Sequence, residues 1–375
     1  MKIGILKEQK GENRVAMLPE TVKKLVRPNL SVWIEAGAGD NASAGDNDYQ
    51  NAGAEIKSRA EIVAGADIIL MVSKPTDEIL NKFTATQTLI ATFSALNDKS
   101  VVDLLKKKQL TAFSMELVPR ITRAQSMDVL SSMATVAGYK AVLDAANHLP
   151  SFFPMFMTAA GTIRPAKVLI LGAGVAGLQA IAIARKLGAQ VEVFDVRSAV
   201  KEQVMSLGAK FVEVAGAKED KSAGGYAVEQ TEEYKRKQQE AVEAHAEKAN
   251  VIISTAQIPG KKAPLLIKKS VVEKMNKGSV IVDLAASSGG NCELTKNNEI
   301  VVHKGITIIG KSNYPSEMPF DASKMYGQNM LNFLNLLIDK EAKFSLNFED
   351  EIIKGTCLTH QGEIISERVK NFYNE

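Results

Sequence analysis

One stretch of this chain restricts its fold more than any other: the run VLILGAGVAG from Val168 to Gly177. Its apolar start predicts a buried strand, and its glycines have the spacing of a dinucleotide-binding turn. Gly172 permits the tight turn, Gly174 lets a pyrophosphate approach the backbone, and Gly177 lets the next helix pack close to the strand. The N-terminus of that helix then offers free N–H groups and a partial positive charge to phosphates.

The strand that follows this helix ends in an acidic residue. Val191–Asp195 predicts the second strand, and Asp195 lies near the ~20-residue spacing at which a carboxylate accepts the ribose hydroxyls of an adenosine. A structural glycine turn without a ligand is the alternative. A membrane span is a second alternative, because Val168–Ala184 is almost wholly apolar. The motif glycines and the early end at Arg185 favour a buried strand and helix instead.

Composition excludes several classes of protein. The chain has 46 basic and 43 acidic residues, so it lacks the clustered positive charge of a nucleic-acid-binding protein. Two cysteines, Cys292 and Cys357, predict neither a disulfide framework nor a metal cluster. The N-terminal Met1–Glu8 has the pattern of a first strand rather than of a signal peptide. These features predict a soluble cytosolic protein that binds no metal.

Strands and helices alternate along the chain, which is typical of parallel sheets with crossover helices. Strands are predicted at Lys2–Leu6, Ser31–Glu35, Asp67–Val72, Thr88–Phe93, Leu110–Ser114, Lys167–Leu171, Val191–Asp195, Phe211–Val214, Val251–Ser254, Ser279–Asp283 and Thr307–Gly310. Helices are predicted at Pro19–Val26, Ser100–Lys107, Met133–Asn147, Leu178–Leu187, Ala199–Leu207, Glu232–Ala249, Pro264–Met275 and Asp321–Lys340, with short strands and turns over 347–365.

We therefore expect an α/β protein with two Rossmann-like, doubly wound parallel-sheet domains and a cleft between them. The first domain is discontinuous, residues 1–135 plus about 320–375, and the second spans 136–319. The polar loop Ala215–Tyr226 follows the third strand of the second domain. It is either a mobile lid, with Tyr226 closing on a nucleotide, or a surface insertion.

The polar residues at the domain junction are the other candidate site. Arg120 and Gln125 suit a carboxamide or a pyrophosphate, and Asp128 and Ser131 suit ribose hydroxyls or the orientation of the arginine. The same residues also fit a helix N-terminus with a solvated polar face, and the sequence leaves both interpretations open. The four histidines, at 148, 245, 303 and 360, stand at helix ends, in a charged helix or in turns, and do not suggest a catalytic base.

The chain resembles the NAD(H)-binding alpha subunit of proton-translocating NAD(P) transhydrogenase over nearly all its length. The resemblance rests on Lys7–Glu8, Glu12–Ala16, Met115–Asp128 (MELVPRITRAQSMD), Met157–Thr162, Gly172–Ala180, Asp195–Arg197, Lys201–Gln203, Gly224–Tyr226, Ile258–Pro264 and Gly289–Asn291. It implies that NAD(H) binds this chain and NADP(H) binds a partner subunit. It also implies a homodimer, attached at the cytoplasmic face of the inner membrane through partner subunits that include a membrane-spanning component.

Particular roles follow from the resemblance alone. The loop that holds the nicotinamide end matches Arg120, Ile121, Thr122, Gln125, Asp128 and Ser131. The pyrophosphate contact matches Val175, the adenosine-ribose contacts match Asp195, Val196 and Arg197, and the closing loop matches Gly225 and Tyr226.

Transfer of a hydride between two nicotinamides breaks no O–H or N–H bond, so it needs alignment and exclusion of water rather than a general base. Alanine dehydrogenase, a related enzyme and the main alternative, needs a lysine and a histidine near its substrate. Those positions fall at Ser73, beside Lys74, and near Thr92. A nucleotide-binding regulatory module without turnover is a further alternative.

Overall fold

The protein is described by a computed structural model that covers residues 1–214, 231–258 and 260–374. The chain divides into two compact units, Met1–Met133 with Pro315–Glu375, and Ala134–Tyr314. The strands are β1 (Lys2–Ile5), β2 (Ser31–Glu35), β3 (Glu55–Lys57), β4 (Ile68–Ser73), β5 (Thr88–Thr92), β6 (Thr111–Ser114), β7 (Phe156–Thr158), β8 (Gly161–Ile163), β9 (Lys167–Leu171), β10 (Gln190–Phe194), β11 (Lys210–Phe211), β12 (Val251–Ser254), β13 (Val280–Asp283), β14 (Ile300–His303), β15 (Ile306–Ile309), β16 (Cys357–His360) and β17 (Glu363–Ile364).

The α-helices lie mostly between consecutive strands. They are α1 (Pro19–Leu25), α2 (Asp46–Asn51), α3 (Arg59–Gly65), α4 (Asp77–Leu80), α5 (Lys99–Lys107), α6 (Val129–His148), α7 (Val175–Lys186), α8 (Lys201–Ser206), α9 (Glu232–Ala246), α10 (Lys269–Val272), α11 (Pro319–Leu337), α12 (Glu351–Thr356) and α13 (Glu367–Tyr373). The predicted fold class is therefore confirmed, since each unit combines crossover helices with a mainly parallel sheet.

The sheet of the first unit has the order β17-β16-β6-β5-β4-β1-β2-β3. Strands β1 to β6 run parallel, and β16 and β17 extend the sheet antiparallel. Side chains of β4 alternate between two cores: Ile68 and Leu70 pack on the face that α11 covers, and Ile69 and Met71 pack on the face that α5 covers. Burial on both faces explains why these strands are continuous apolar runs.

The sheet of the second unit has the order β11-β10-β9-β12-β13-β15-β14, and only β14 is antiparallel to its neighbour among the described strands. Val168 and Ile170 of β9 pack in one core with residues of α6 and α7. Leu169 and Leu171 pack in the other core with residues of α9. The strand order reverses between β9 and β12, and in open parallel sheets ligands bind beside such a reversal, at the carboxyl ends of the strands.

The apolar run that could have been a membrane span is divided between β9 and α7. None of the helices described in the three covered ranges combines the length and the apolar character needed to cross a bilayer. Those same residues contain no cluster of three or more histidine, cysteine or acidic side chains arranged to hold a metal ion.

One predicted helix is wrong for most of its length. The sequence predicts a helix over Pro264–Met275, but α10 covers four residues of it. The preceding residues are extended, because the N–H groups of Leu266 and Ile267 donate to the carbonyl of Asn291 at 2.8 and 2.9 Å. The apolar spacing that suggested a helix comes from side chains that enter the core from an extended segment.

The C-terminal segment also differs from expectation. Strands β16 and β17 lie within the predicted region of strands and turns, but α12 precedes them. Asp350 begins this helix, because its side chain accepts a hydrogen bond from the N–H of Ile352 at 2.8 Å. The sequence predictions also do not include β3, β14, the β7–β8 hairpin, or the short helices α2, α3 and α4.

A buried carboxyl group lies in the core of the first unit. Glu8, 7% exposed, follows β1 and accepts hydrogen bonds from the N–H groups of Val72 and Ser73 at 2.6 and 3.1 Å. Burial raises the pKa of Glu8 from 4.5 to about 7, since an ionised carboxylate is poorly solvated there. The protonated form therefore dominates in the folded protein below neutral pH.

This raised pKa predicts a pH dependence of stability. The native state holds the Glu8 proton more tightly than the unfolded chain does. The contribution of this proton to the free energy of unfolding is therefore fully present below pH 4.5 and is lost as the pH rises through 7. Glu8→Gln resembles the protonated acid and does not titrate. As the pH rises from 4.5 to 8, the free energy of unfolding of wild type should therefore fall by about 3 kcal/mol relative to that of the variant. The sole tryptophan, Trp33 in β2, reports unfolding of this unit by its fluorescence in urea. The exposed Glu341→Gln is the control, and equal pH profiles for wild type and Glu8→Gln would contradict the prediction.

Candidate functional site

In the glycine turn after β9, the backbone is tightly packed at Gly177 and open to solvent at Gly174. Gly172 has a φ of +103°, in the region that favours glycine. A Cβ atom on Gly177 would lie only 1.9 Å from the carbonyl oxygen of Gly172, so α7 packs directly on the turn. A Cβ atom on Gly174 would meet no atom within 4 Å. The open space beside Gly174 is where a ligand can approach the backbone.

The N-terminus of α7 is arranged to bind an anion. Gly174 precedes the helix and offers no capping side chain. The N–H of Leu178 donates to the carbonyl of Gly174 at 2.8 Å, which is the first hydrogen bond of the helix. The amides of Val175, Ala176 and Gly177 come before it in the chain, in the first turn. Such amides, with the helix dipole behind them, are suited to a pyrophosphate. The exposed Val175 stands at this end of the helix, and its contact with a pyrophosphate stays a prediction.

Asp195 connects the glycine turn to the end of β10. Its Oδ2 accepts a hydrogen bond from the N–H of Ala173 at 2.7 Å, and the side chain is buried within the turn. Arg197 donates to both oxygens, from Nε to Oδ1 at 2.9 Å and from Nη2 to Oδ2 at 2.8 Å. Val196, between them, is partly buried against the core. The predicted adenosine-binding residues are thus brought together at the carboxyl end of the sheet.

The pairing of Asp195 with Arg197 was not anticipated. The hydrogen bonds that Arg197 donates to Asp195 raise the pKa of Arg197, so the guanidinium remains charged. The carboxylate is therefore already neutralised, and ribose hydroxyls would have to replace donors that Arg197 supplies. The guanidinium is also the nearby group that could meet a 2′-phosphate. We therefore expect both residues to affect any discrimination against a 2′-phosphate.

Two buried residues that sequence reasoning did not single out organise the neighbouring strand ends. The fully buried Asp283, at the end of β13, accepts hydrogen bonds from the backbone N–H groups of Asn291 and Cys292 and from the hydroxyl of Thr295. Its Oδ2 would lie 2.9 Å from a Cβ atom on Gly290, whose φ is +79°. In the sequence, the run GGN at 289–291 contributes to the family resemblance, and its paired glycines before an asparagine also indicate a tight turn.

Asn291 fixes the loop that follows β12. Its Oδ1 accepts a hydrogen bond from the N–H of Ala256 at 3.1 Å. Its Nδ2 donates to the carbonyls of Ala256 and Pro264, both at 2.8 Å. On the same loop, the hydroxyl of Thr255 donates to the carbonyl of Gly172 at 3.0 Å. The glycine turn is therefore held from the β12 side of the strand reversal as well as by Asp195.

In the first unit, the segment around 120–128 is anchored by residues other than the predicted ones. Arg123 donates to both carboxylate oxygens of Asp350 at 2.7 and 2.9 Å. Asn329 and Asn332 of α11 donate to the carbonyl of Ser126 at 2.8 and 2.9 Å. These contacts hold the segment by its backbone and by Arg123. No local pattern indicates them, since the partners lie about 200 residues further along the chain.

Asp128 and Ser131 form the start of α6. The Asp128 carboxylate accepts hydrogen bonds from the N–H of Ser131 at 2.9 Å and from its hydroxyl at 2.6 Å. This is the geometry of a helix N-cap, so the helix begins at Val129 rather than at the predicted Met133. The capping interpretation of these two residues is thus realised, and a role for them in holding ribose stays a prediction.

The other predicted residues of this segment lie mainly at the surface. Arg120, Thr122 and Gln125 are exposed, and Ile121 is partly buried against the core. Their exposure leaves Thr122 and Gln125 accessible to a ligand, but no contact among the described residues assigns them one. Gly225 and Tyr226, with the predicted lid, lie outside the described residues.

The first unit also contains a pocket of about 210 Å³ that bears on the alanine dehydrogenase alternative. Arg14, Ser73, Lys74 and Thr92 line it. The position where that enzyme needs its lysine falls at Ser73, and the adjacent Lys74 lines the same pocket, so an amine is present beside that position.

A histidine is not among the residues that line this pocket. All four histidines lie within the described ranges, and each has a partner elsewhere. The ring nitrogens lie within hydrogen-bond distance of the carbonyl of Asp144 for His148, of Glu192 for His245, of Glu273 for His303 and of Thr111 for His360. The interpretation that the histidines are structural or exposed agrees with these contacts.

Two glycines of the turn allow stability and ligand binding to be separated. Gly177→Ala should destabilise the second unit by about 1–3 kcal/mol, because its methyl group would collide with the Gly172 carbonyl. Gly174→Ala should cost less than about 1 kcal/mol, since its methyl group enters open space. The same methyl group should weaken NADH binding at least ~10-fold. Urea unfolding followed by circular dichroism, together with calorimetric titration, measures both effects. Wild-type NADH affinity in Gly174→Ala would refute the placement of the phosphates.

Comparisons with known proteins agree with this geometry. The family model "Alanine dehydrogenase/PNT, N-terminal domain" matches residues 4–137, and "Alanine dehydrogenase/PNT, C-terminal domain" matches 141–367. The chain is 49% identical to an NAD(P) transhydrogenase alpha-subunit chain of Rhodospirillum rubrum, over 97% of this chain and 98% of that one.

A solved structure of transhydrogenase from Sinorhizobium meliloti is 42% identical, with a TM-score of 0.89, over 97% of this chain and 100% of that one. Alanine dehydrogenase of Mycolicibacterium smegmatis is a more distant relative, 30% identical over 98% of this chain and 96% of that protein. These matches extend along both units. The chain therefore belongs to the alanine dehydrogenase/PNT family, and within it resembles transhydrogenase alpha subunits more closely than alanine dehydrogenases.

Proposed function

We propose that this chain is the NAD(H)-binding subunit of a proton-translocating NAD(P) transhydrogenase with Re/Si specificity. A hydride passes directly between NADH on this chain and NADP⁺ on a partner subunit. Proton translocation belongs to membrane components of the same complex. The chain works at the cytoplasmic face of the inner membrane, where partner subunits hold it.

The residues of the second unit fit the nucleotide. The open space at Gly174 and the amides at the start of α7 receive the pyrophosphate. Asp195 and Arg197 face the adenosine ribose from the end of β10. The bound nicotinamide supplies the hydride, and the residues of this chain only bind and orient it. Arg120 and Gln125, both exposed on the segment that precedes α6 in the chain, are assigned to that orientation.

One observation carries the choice of reaction: no histidine is found among the described residues that line the Arg14–Lys74 pocket. Oxidation of an amino acid releases a proton that a positioned base has to accept. Direct transfer between nicotinamides has no such requirement. The 49% identity to a transhydrogenase subunit over almost the whole chain supports the same choice.

Alanine dehydrogenase remains the second candidate, because Arg14 and Lys74 share a pocket. A relative named for that activity is 30% identical over nearly the full length. A cationic pair could hold the carboxylate of an amino acid even where no histidine takes its proton. The two candidates differ in a simple assay, since alanine oxidation needs no partner subunit.

The proposal includes a homodimer. The β7–β8 hairpin forms a two-stranded sheet separate from the two large sheets. Its Met157 is 75% exposed, and Met155, directly before the hairpin, is 56% exposed. An isolated two-stranded hairpin is only marginally stable in water, and apolar side chains concentrated on it indicate an association surface. Sedimentation equilibrium of the purified chain measures the association, and a monomer at micromolar concentration would contradict it.

The central test is a hydride-transfer assay with an NADP(H)-binding partner subunit. Wild type should reduce NADP⁺ from NADH, and the chain alone should form no NADH from alanine. Arg120→Ala and Gln125→Asn should slow transfer ten-fold or more, about 1.4 kcal/mol, because a misplacement of ~1 Å of the ring costs ~100-fold in rate. NADH affinity should fall less than the rate.

Arg123→Ala is the matched control for this assay, because Arg123 is paired with Asp350 and should act through stability alone. If the Arg120 and Gln125 variants lose NADH affinity but keep a normal single-turnover rate at saturation, these residues contribute to nucleotide binding and not to orientation of the ring. Rapid alanine-dependent NADH formation would replace the proposed function by the second candidate.

Cofactor choice should favour NAD(H) over NADP(H) by at least ~10-fold, about 1.4 kcal/mol. The reason is that the Asp195 carboxylate offers a 2′-phosphate no donor, and that the Arg197 guanidinium already donates to both oxygens of Asp195. Arg197→Ala should increase the preference, because it removes the nearby cation and exposes the carboxylate charge. Calorimetry with NADH and NADPH on both proteins gives the two ratios. Equal or tighter NADPH binding by wild type would contradict the assignment.

A further inference from the structure

One peptide of the glycine turn, the one that joins Gly172 to Ala173, is held at both of its polar atoms. Its carbonyl oxygen accepts a hydrogen bond from the hydroxyl of Thr255 at 3.0 Å. Its N–H group donates to the carboxylate of Asp195 at 2.7 Å. Thr255 follows β12 and Asp195 follows β10, the two strands that flank β9 in the sheet. The orientation of this peptide is therefore set from both neighbouring strands.

The carbonyl oxygen of this peptide lies on the helix side of the turn. A Cβ atom on Gly177, in the first turn of α7, would lie 1.9 Å from that oxygen and 3.5 Å from the Oγ1 atom of Thr255. A Cβ atom on Gly174 would meet no atom within 4 Å, so the oxygen does not enter the open space on that side. The hydroxyl of Thr255 thus holds the oxygen against α7, where it does not face an approaching anion.

The orientation of this carbonyl matters because a peptide group has a positive and a negative end. Amide N–H groups attract a phosphate, whereas a carbonyl oxygen turned toward the phosphate would repel it. Gly172 has a φ of +103° and no side chain, so its backbone has fewer steric restrictions than that of other residues. A turn built on glycine consequently needs an external contact to keep one orientation. The hydroxyl of Thr255 supplies that contact at the oxygen.

Thr255 is placed by the sheet itself. Its N–H donates to the carbonyl of Leu171 at 2.8 Å, which extends the pairing of β12 with β9 by one residue. Side chains alternate along a strand, so Thr255 faces the same side as Ile253, whose core includes residues of α7. The side chain therefore points toward the helix that starts at the glycine turn, and its hydroxyl reaches the Gly172 oxygen.

Asn291 holds the next residue of the same loop. Its side chain accepts a hydrogen bond from the N–H of Ala256 at 3.1 Å and donates to the carbonyl of Ala256 at 2.8 Å. Asn291 is fully buried, and its own N–H donates to Asp283 at 2.7 Å. The backbone that follows Thr255 is therefore fixed to the end of β13. Thr255 has little freedom to move away from the glycine turn.

We propose that Thr255 is a positioning residue for the dinucleotide: its hydroxyl keeps the Gly172 carbonyl turned toward α7, so that the first amides of the helix face the pyrophosphate without a competing oxygen. Asn291 contributes one step further away, because it fixes the backbone beside Thr255. Neither side chain is assigned a contact with the nucleotide. This role rests on the proposed function, since it requires that a dinucleotide occupies the glycine turn.

The first test examines the peptide without any ligand. Thr255→Val keeps the branched shape of the side chain and removes the hydroxyl donor. Hydrogen exchange of the full chain, followed by amide NMR, should show the Ala173 N–H exchanging at least ~10-fold faster in this variant, because a peptide released at its oxygen also leaves Asp195 more often. Thr255→Ser keeps the hydroxyl and should exchange within ~3-fold of wild type.

The second test measures binding by calorimetry, with NADH and with ADP, which carries the adenosine ribose and a diphosphate. Thr255→Val should weaken both ligands at least ~10-fold, about 1.4 kcal/mol, and Thr255→Ser should restore most of the affinity. Ser279→Ala is the matched control, because the hydroxyl of this buried serine also donates to a backbone carbonyl of the second unit, that of Ala249 at 3.2 Å. That bond lies at the amino end of β13, so its loss should change neither the exchange of Ala173 nor the affinity for ADP.

Three results would overturn the role of Thr255 where wild type binds NADH: unchanged exchange of Ala173 in Thr255→Val, unchanged affinity for ADP in that variant, or an equal loss in Ser279→Ala. Urea unfolding followed by circular dichroism establishes that each variant is folded, and Thr255→Ala replaces Thr255→Val if the latter does not fold. A wild-type chain that binds neither NADH nor ADP would refute the proposed function itself, and the role of Thr255 with it. The two failures are therefore distinguishable.

Discussion

The contact between α7 and the turn after β9 is the constraint on which the second unit depends. The Gly172 carbonyl lies where any side chain at Gly177 would collide with it. Because the helix starts directly against the strand end, its first amides stand in the crevice at the strand reversal. Asp195 and Thr255 then fix the turn from the two neighbouring strands, β10 and β12. These contacts hold the first amides of α7 at the carboxyl edge of the sheet, where we propose that the pyrophosphate binds.

Buried carboxylates repeat this arrangement at other strand ends. Asp283 gathers the backbone amides that follow β13, and Glu8 accepts hydrogen bonds from the amides at the end of β4. The loops at the carboxyl edge of a parallel sheet have backbone groups that no strand satisfies, and acidic side chains satisfy them. Asp283 accepts hydrogen bonds from several donors at once. Glu8 accepts from two backbone amides, and burial raises its pKa to about 7.

Particular residues show why some features could be predicted and others could not. The strands at Lys167–Leu171 and Val251–Ser254 were predicted to the residue, because strands buried on both faces are unbroken apolar runs. The helix expected over Pro264–Met275 failed, because Asn291 holds that segment in an extended form from a distant position in the chain. The capping of α12 by Asp350 and the pairing of Asp350 with Arg123 also depend on tertiary contacts.

The sequence by itself determined the fold class, the position of the glycine turn and the resemblance to transhydrogenase subunits, because glycine spacing and apolar periodicity are local properties of the chain. Only the tertiary structure decided which polar groups meet. It paired Asp195 with Arg197, made Asp128 a helix cap, and placed Lys74 with Arg14 in one pocket. Such pairings depend on the register of strands and the direction of side chains, which residues far apart in sequence set together.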